Sequence, residues 1–308
     1  MPNATSLALF ASFALVASAA HCTATNESLS AFQSTAIASQ LNSNDTHATP
    51  TLFASNLALV RGVNQMAISF KIDEHWHLYF TGQNDTGQPP TLKMDLPAGV
   101  TISPLQFPPP QRLVQADSIL DHIYEENLIL PFTLTISEDF KGDSLKLEGT
   151  LTWLECADVC KFGKGTVSRT LDIAPPRQKP QPDSSAAEIA AAVKAIPSPA
   201  PADLAKIEFH GQSKAERVTI TVAKAKGLTF VPDNQCSPIP ALLKEGTGKG
   251  ESLTLTFEDA KPNNKLSGLI QIGSGPESRW YHISKSALNP AGPKSVTTPQ
   301  APAAPVAR

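Results

Sequence analysis

Trp153-Leu154-Glu155-Cys156-Ala157-Asp158-Val159-Cys160-Lys161-Phe162-Gly163 sets two cysteines four positions apart at the end of an alternating strand pattern. In a straight strand their Cα atoms would lie roughly 13 Å apart, because each residue advances ~3.3 Å. A disulfide needs about 4.4–6.8 Å, so bonding requires a turn between them. A bridge closing so short a loop gains little from chain entropy, which suits exchange better than stapling. Lys161 and Lys164 favour a thiolate here, while Glu155 and Asp158 oppose it at equal count. From these residues alone the pair reads as a redox couple, an inert bridge or a soft-metal site.

The strand that delivers Cys156 is one of a series. Met66, Ile68, Phe70 and Ile72 alternate with polar residues, as do Leu128, Leu130, Phe132, Leu134 and Ile136. Leu145, Leu147, Leu151 and Trp153 follow, then Val167, Leu171 and Ile173. Each run presents one apolar face, and turns rich in Gly, Pro and Asn separate them. An all-β, antiparallel β-sandwich is expected over 51–175. Weaker alternation returns at Val218, Ile220 and Val222, at Leu253, Leu255 and Phe257, and around Leu269 to Ile272, predicting a second, smaller β-sandwich over 204–289. The intervening 176–203 reads as a Pro/Ala-rich linker with one short helix, started by a capping box at Ser185-Ala186-Ala187-Glu188.

The ends differ in kind. An apolar run from Leu7 to Ala20, with Ala17-Ser18-Ala19 as an A-x-A cleavage signal, predicts a signal peptide over 1–20 and an exported product that is soluble after cleavage. Cys22 follows at once, but His21 before it is a poor fit to a lipoprotein box. Residues 21–50 lack periodicity and read as a flexible lead-in, and 290–308, built around Pro-Gln-Ala-Pro-Ala-Ala-Pro, as a disordered tail. No later stretch reaches the ~20 apolar residues of a membrane span. A formal charge of −3 with 17% charged residues suggests neither nucleic acid nor an anionic membrane surface as partner.

Other residues carry weaker signals. His75 and His77, two apart, would share a face on a strand, as metal ligands or as plain strand residues. Cys156, Cys160 and His122 together would suit Cu(I) or Zn. Asp121, His122 and Glu125 are candidates for proton transfer, and Trp153 and Phe162 for core and lid packing. Cys236 reads as a buried or incidental thiol.

The cysteine segment, with the strand Thr166 to Ile173 after it, resembles the cysteine hairpin of the N-terminal periplasmic domain of the thiol:disulfide interchange protein DsbD and its ScsB-like relatives. His75-Trp76-His77-Leu78-Tyr79 leading to Gly87-Gln88-Pro89-Pro90 is similar to that family's opening strand and Gly-x-Pro turn. Leu96-Pro97-Ala98-Gly99-Val100 and Tyr124-Glu125 with Leu128 to Leu134 follow in the family's order. Trp280-Tyr281-His282-Ile283 resembles a closing hairpin of the second β domain of the ScsB-like branch. The resemblance implies an immunoglobulin-like sandwich that passes reducing equivalents to or from thioredoxin-like periplasmic proteins, without a cofactor or metal. It makes Cys160 the residue joined to the partner and Cys156 the resolving one, and, since the stretch Val114 to Asp121 aligned with the family's aromatic cap loop has no aromatic residue, it leaves Tyr124 or Ile119 to cover the sulfurs. The membrane conduit and thioredoxin-like domain of full-length members have no counterpart here, so electrons would come from a separate polypeptide. The alternatives are a non-catalytic interaction module with a structural disulfide, and a copper-handling module.

Overall fold

A computed structural model describes residues 46–211, 216–259, 261 and 263–287. The expected signal peptide (1–20), nearly all of the lead-in, Cys22 and the tail (290–308) lie outside the described residues. The strands from Ala48 to Ile173 are β1 (Ala48–Ala54), β2 (Ala58–Leu59), β3 (Gly62–Ile72), β4 (Leu78–Tyr79), β5 (Thr91–Met94), β6 (Val100–Ile102), β7 (Gln111–Gln115), β8 (Ile119–Tyr124), β9 (Asn127–Ile136), β10 (Ser144–Cys156) and β11 (Cys160–Ile173).

The alternation read in the sequence becomes two facing sheets, ordered β1-β3-β9-β6 and β2-β11-β10-β5. Every pairing in them is antiparallel except a two-residue parallel contact between β2 and the end of β11. Inward-facing Ile68, Phe70, Leu130, Phe132, Leu147, Leu151 and Trp153 fill the space between them. Phe70 meets Trp153 edge-on, ring centroids 5.1 Å apart, a geometry worth about 0.5–1.5 kcal/mol beyond area burial. A third sheet, β4-β8-β7, lies beside this sandwich at the end where the cysteines are. The result is the immunoglobulin-like, all-β architecture expected from the sequence.

After β11 the chain does not leave the sandwich. Leu57 N–H donates to Gln181 O, and Arg169 pairs with Asp183, so the Pro-rich segment is held along the sheet edge. Helix α1 (Ala186–Ala195) then covers the outer face of β9, β3 and β1 through Ile189. That is why Ala67, on the face opposite Met66 and Ile68, is also buried. The capping box does not form. Ser185 precedes the helix, but its hydroxyl lies between Ala54 O and Asp183 Oδ1, at 3.0 and 2.9 Å, and accepts no bond from the helix N-terminus, because the sandwich offers a buried acceptor within reach. The lead-in also ends earlier than expected, with β1 starting at Ala48.

The remaining described strands are β12 (Lys206–Gly211), β13 (Glu216–Thr221), β14 (Gly227–Pro232), β15 (Thr247–Lys249), β16 (Ser252–Thr256), β17 (Lys265–Ile272) and β18 (Arg279–Ser286), with a one-turn helix α2 (Leu242–Glu245). They form sheets β12-β13-β16 and β15-β14-β17-β18 around Val218, Ile220, Phe230, Leu255 and Phe257. The two cores interlock, since Val231 and Leu269 pack into the first and Leu120 into the second. Gln83 exchanges two hydrogen bonds with the backbone of Ile239, and Arg112 donates to Leu243 O. No helix among the described residues is long and apolar enough to cross a membrane.

Candidate functional site

The site is built on the longest hairpin among the described residues. β10 and β11 pair without interruption from Ser144↔Asp172 to Cys156↔Cys160, leaving Ala157, Asp158 and Val159 as the loop. Cross-strand partners project to the same face, so both cysteines turn the same way. Their Cα atoms are 4.1 Å apart and a Cys156–Cys160 disulfide is formed, with an S–S distance of 2.00 Å.

The inward face of the hairpin tip is locked by polar groups. Glu155 is fully buried, and its carboxylate accepts from the indole Nε1 of Trp153 at 2.7 Å and from the backbone N–H of His47 at 2.8 Å. His47 stacks on Trp76 with ring centroids 3.7 Å apart, and Lys161, the cross-strand partner of Glu155, reaches His47 Nε2 at 3.1 Å. Lys161 also sits over the Trp76 ring, 5.3 Å from its centroid. Trp153 lies flat across its partner Gly163, where a Cβ would fall 2.1 Å from the indole. Only glycine permits that approach, so the turn carrying Cys160 is fixed by a tryptophan three residues before Cys156.

On the outward face, Tyr79, Ile123, Leu154 and Cys156 form a small apolar cluster with Leu113 beside it. Tyr79 comes from β4 and Ile123 from its partner β8, so the third sheet covers one cysteine. It does not cover the other. Cys156 is 2% exposed, whereas Cys160 is exposed, as are Val159 (59%) and Phe162 (74%) around it.

His77 lies directly beside Cys156. The two form an antiparallel bridge, His77 N–H donating to Cys156 O at 2.9 Å and Cys156 N–H to His77 O at 3.1 Å. From His77 Nε2 a chain of polar contacts runs to the Tyr79 hydroxyl (3.2 Å), to Thr86 Oγ1 (3.2 Å) and to Asp121 Oδ2 (2.6 Å). Asp121 Oδ1 also accepts from Thr86 N–H, at 3.0 Å. His77, Tyr79 and Asp121 are buried, and Thr86 is exposed. Burial lowers the His77 pKa, against the opposing pull of Asp121 and Glu125. Burial raises that of Tyr79.

The residues around β8 divide by face, the sequence candidates Ile119 and Asp121 sharing a face with Ile123, which sequence reasoning did not single out. Ile123 points to the sulfurs, and Glu125, just past the strand end, is exposed with its charge acting on His77. Tyr124 and His122 lie on the opposite face with Leu120. The Tyr124 hydroxyl donates to Pro108 O at 2.6 Å and its ring joins the sandwich core. His122 contacts Gln83 O through Nδ1 at 3.2 Å, and burial takes its pKa down to about 4. The Cys156, Cys160 and His122 trio is therefore not assembled. Nor do His75 and His77 share a face, because His75 sits in a turn at φ 70° with its side chain exposed, and the extended backbone begins only at His77. Phe162 is exposed rather than packed as a lid. Cys236 is largely buried, which pushes its thiol up to about 11 and leaves it without thiolate character at neutral pH.

Sequence reasoning missed Tyr79 and Ile123 as the cover, and His77 as the neighbour of Cys156. The available signal was His77-Leu78-Tyr79, whose alternation puts His77 and Tyr79 on one face.

A family model described as "Thiol:disulfide interchange protein DsbD, N-terminal" matches residues 48–172. Among solved structures, the N-terminal periplasmic domain of ScsB from Proteus mirabilis is similar, at 16% identity and a TM-score of 0.51, over 79% of this chain and 96% of that one. The D312A form of BcpA, the major pilin subunit of Bacillus cereus, aligns at 9% identity over 77% of this chain and 66% of that one, with a TM-score of only 0.25. No curated protein matches.

Proposed function

We propose that this chain is a periplasmic thiol–disulfide exchange module whose reactive pair is Cys156 and Cys160, a reading supported by the match of residues 48–172 to the family model described as that of the DsbD N-terminal domain. The observation that carries it is the asymmetry of the disulfide, with one sulfur-bearing residue exposed at the hairpin tip and the other buried under Tyr79 and Ile123. In the reduced chain the Cys160 thiolate attacks a partner disulfide, forming a mixed disulfide and releasing one partner thiolate. Cys156 then attacks Cys160, re-forming the internal bridge and expelling the second partner thiolate. The pair is oxidised by two electrons and the partner disulfide is reduced by two. The exchange runs in either direction, as the relative potentials dictate.

Exposed Val159 and Phe162 supply apolar contact for a docking protein next to the attacked sulfur, and thioredoxin-like periplasmic proteins are the partners the family implies. A separate membrane electron conduit would recharge the pair. Residues 51–175 serve as the exchange module, and residues 204–289 as a second β domain fixed to it through Gln83 and Arg112.

Trapping tests this function. Cys156→Ala should accumulate mixed disulfides through Cys160 in the exported fraction, and Cys160→Ala should capture none. Equal absence of capture by both variants would remove the exchange function.

A further inference from the structure

The polar chain behind Cys156 has a direction, and the direction leaves one nitrogen unused. Both oxygens of Asp121 accept from Thr86, one from the backbone N–H and one from the hydroxyl. A hydroxyl has a single proton. With that proton on Asp121, Thr86 Oγ1 accepts from the Tyr79 hydroxyl, and Tyr79 in turn accepts from His77 Nε2–H. The imidazole is thus set as the Nε2–H tautomer, with a lone pair on Nδ1, the nitrogen nearer its own backbone. His77 and Cys156 are bridge partners, which brings their side chains to one face with Cβ atoms about 4.5–5.5 Å apart.

We propose that His77 is the proton acceptor and donor for the Cys156 sulfur, oriented by the relay Tyr79–Thr86–Asp121. This role rests on the exchange function proposed above. When Cys160 is joined to a partner, His77 Nδ1 takes the Cys156 thiol proton. The thiolate attacks Cys160, the bond between Cys160 and the partner sulfur breaks, and the departing partner thiolate is protonated from the imidazolium or from solvent. In reverse, the proton of the incoming partner thiol passes to His77 directly or through solvent, the partner thiolate attacks Cys160, the Cys156–Cys160 bond breaks, and the imidazolium protonates the departing Cys156. The groups facing the imidazole are suited to this. Asp121 on β8 and Glu125 just past its end stabilise a transient positive charge, while burial keeps the resting ring neutral and able to accept. Exposed Thr86 gives the relay an outlet to solvent.

The test follows single-turnover reaction of the reduced chain with glutathione disulfide, resolving formation of the mixed disulfide from its resolution, between pH 6 and pH 9.5. His77→Gln should leave the attack by Cys160 as in wild type and slow resolution at pH 6–7 by at least ~100-fold, the low end of general-base effects. The deficit should close above pH ~8.5, where a thiol ionises unaided. Thr86→Val, which alters an exposed position, should reproduce part of the low-pH deficit, and Thr86→Ser should rescue it. A His77→Gln deficit of equal size at every pH, or none, would overturn the role and leave the exchange function standing. A wild-type chain that forms no mixed disulfide with glutathione would overturn both.

Discussion

Glu155 and Trp153, two residues apart on β10 and both buried, are joined by a 2.7 Å hydrogen bond from the indole Nε1 to the carboxylate. The second carboxylate oxygen accepts from the N–H of His47, so one side chain ties the cysteine hairpin to the residue preceding β1. Replacing Glu155 with Ala strands the buried indole N–H, at about 1–3 kcal/mol, and the part-buried N–H of His47, at less. Chemical denaturation of Glu155→Ala should show a loss of roughly 2–5 kcal/mol, with Glu155→Gln milder because it keeps an acceptor for one of them.

Gly87 gives a sharper lesion at the outward face. A Cβ there would lie 2.1 Å from the Tyr79 ring, which covers Cys156. Gly87→Ala must therefore shift Tyr79, lifting the cover. The expected result is faster alkylation of Cys156 in the reduced protein, read by mass spectrometry of peptides, and a stability loss of about 1–3 kcal/mol from overpacking.

Much of this was legible beforehand. The all-β class, the sandwich and the need for a turn between Cys156 and Cys160 follow from period-two alternation and from the reach of a disulfide. The hidden parts depend on contacts between distant segments. Nothing local marks Ser185 as a partner of Ala54 rather than a helix cap, since its acceptor lies 131 residues away. Likewise the faces of β8 could be listed as two alternating sets, but which set met the sulfurs depended on β4 docking beside it. That choice moved the site from His122 and Tyr124 to Ile123 and Tyr79.

Val159 and Phe162 separate protein docking from chemistry. Because both are exposed, Val159→Ser with Phe162→Ser should leave the melting temperature nearly unchanged. Reaction with a thioredoxin-like protein should slow by roughly tenfold, corresponding to about 1.4 kcal/mol of lost contact, while the rate with glutathione disulfide stays as in wild type. Competing the two substrates in one assay provides the comparison.

His122 supplies a pH dependence unrelated to the sulfurs. Its folded pKa of about 4 lies below the ordinary 6.5, through burial, so the unfolded chain binds its proton first as pH falls. Its contribution is whole above pH 6.5 and is lost between pH 6.5 and 4, amounting to roughly 3 kcal/mol in all. Denaturation midpoints at pH 7.5 and pH 4.5 should diverge less in His122→Gln than in wild type.

The central claim is that the Cys156–Cys160 bridge is made to be opened. Equilibrating the intact protein with glutathione buffers of graded potential, and counting alkylated thiols, measures this most directly. The account predicts a two-electron transition in a moderate range, roughly −180 to −280 mV, as for other exchange proteins. A bridge still oxidised below about −300 mV would mark it as a structural staple and contradict the account.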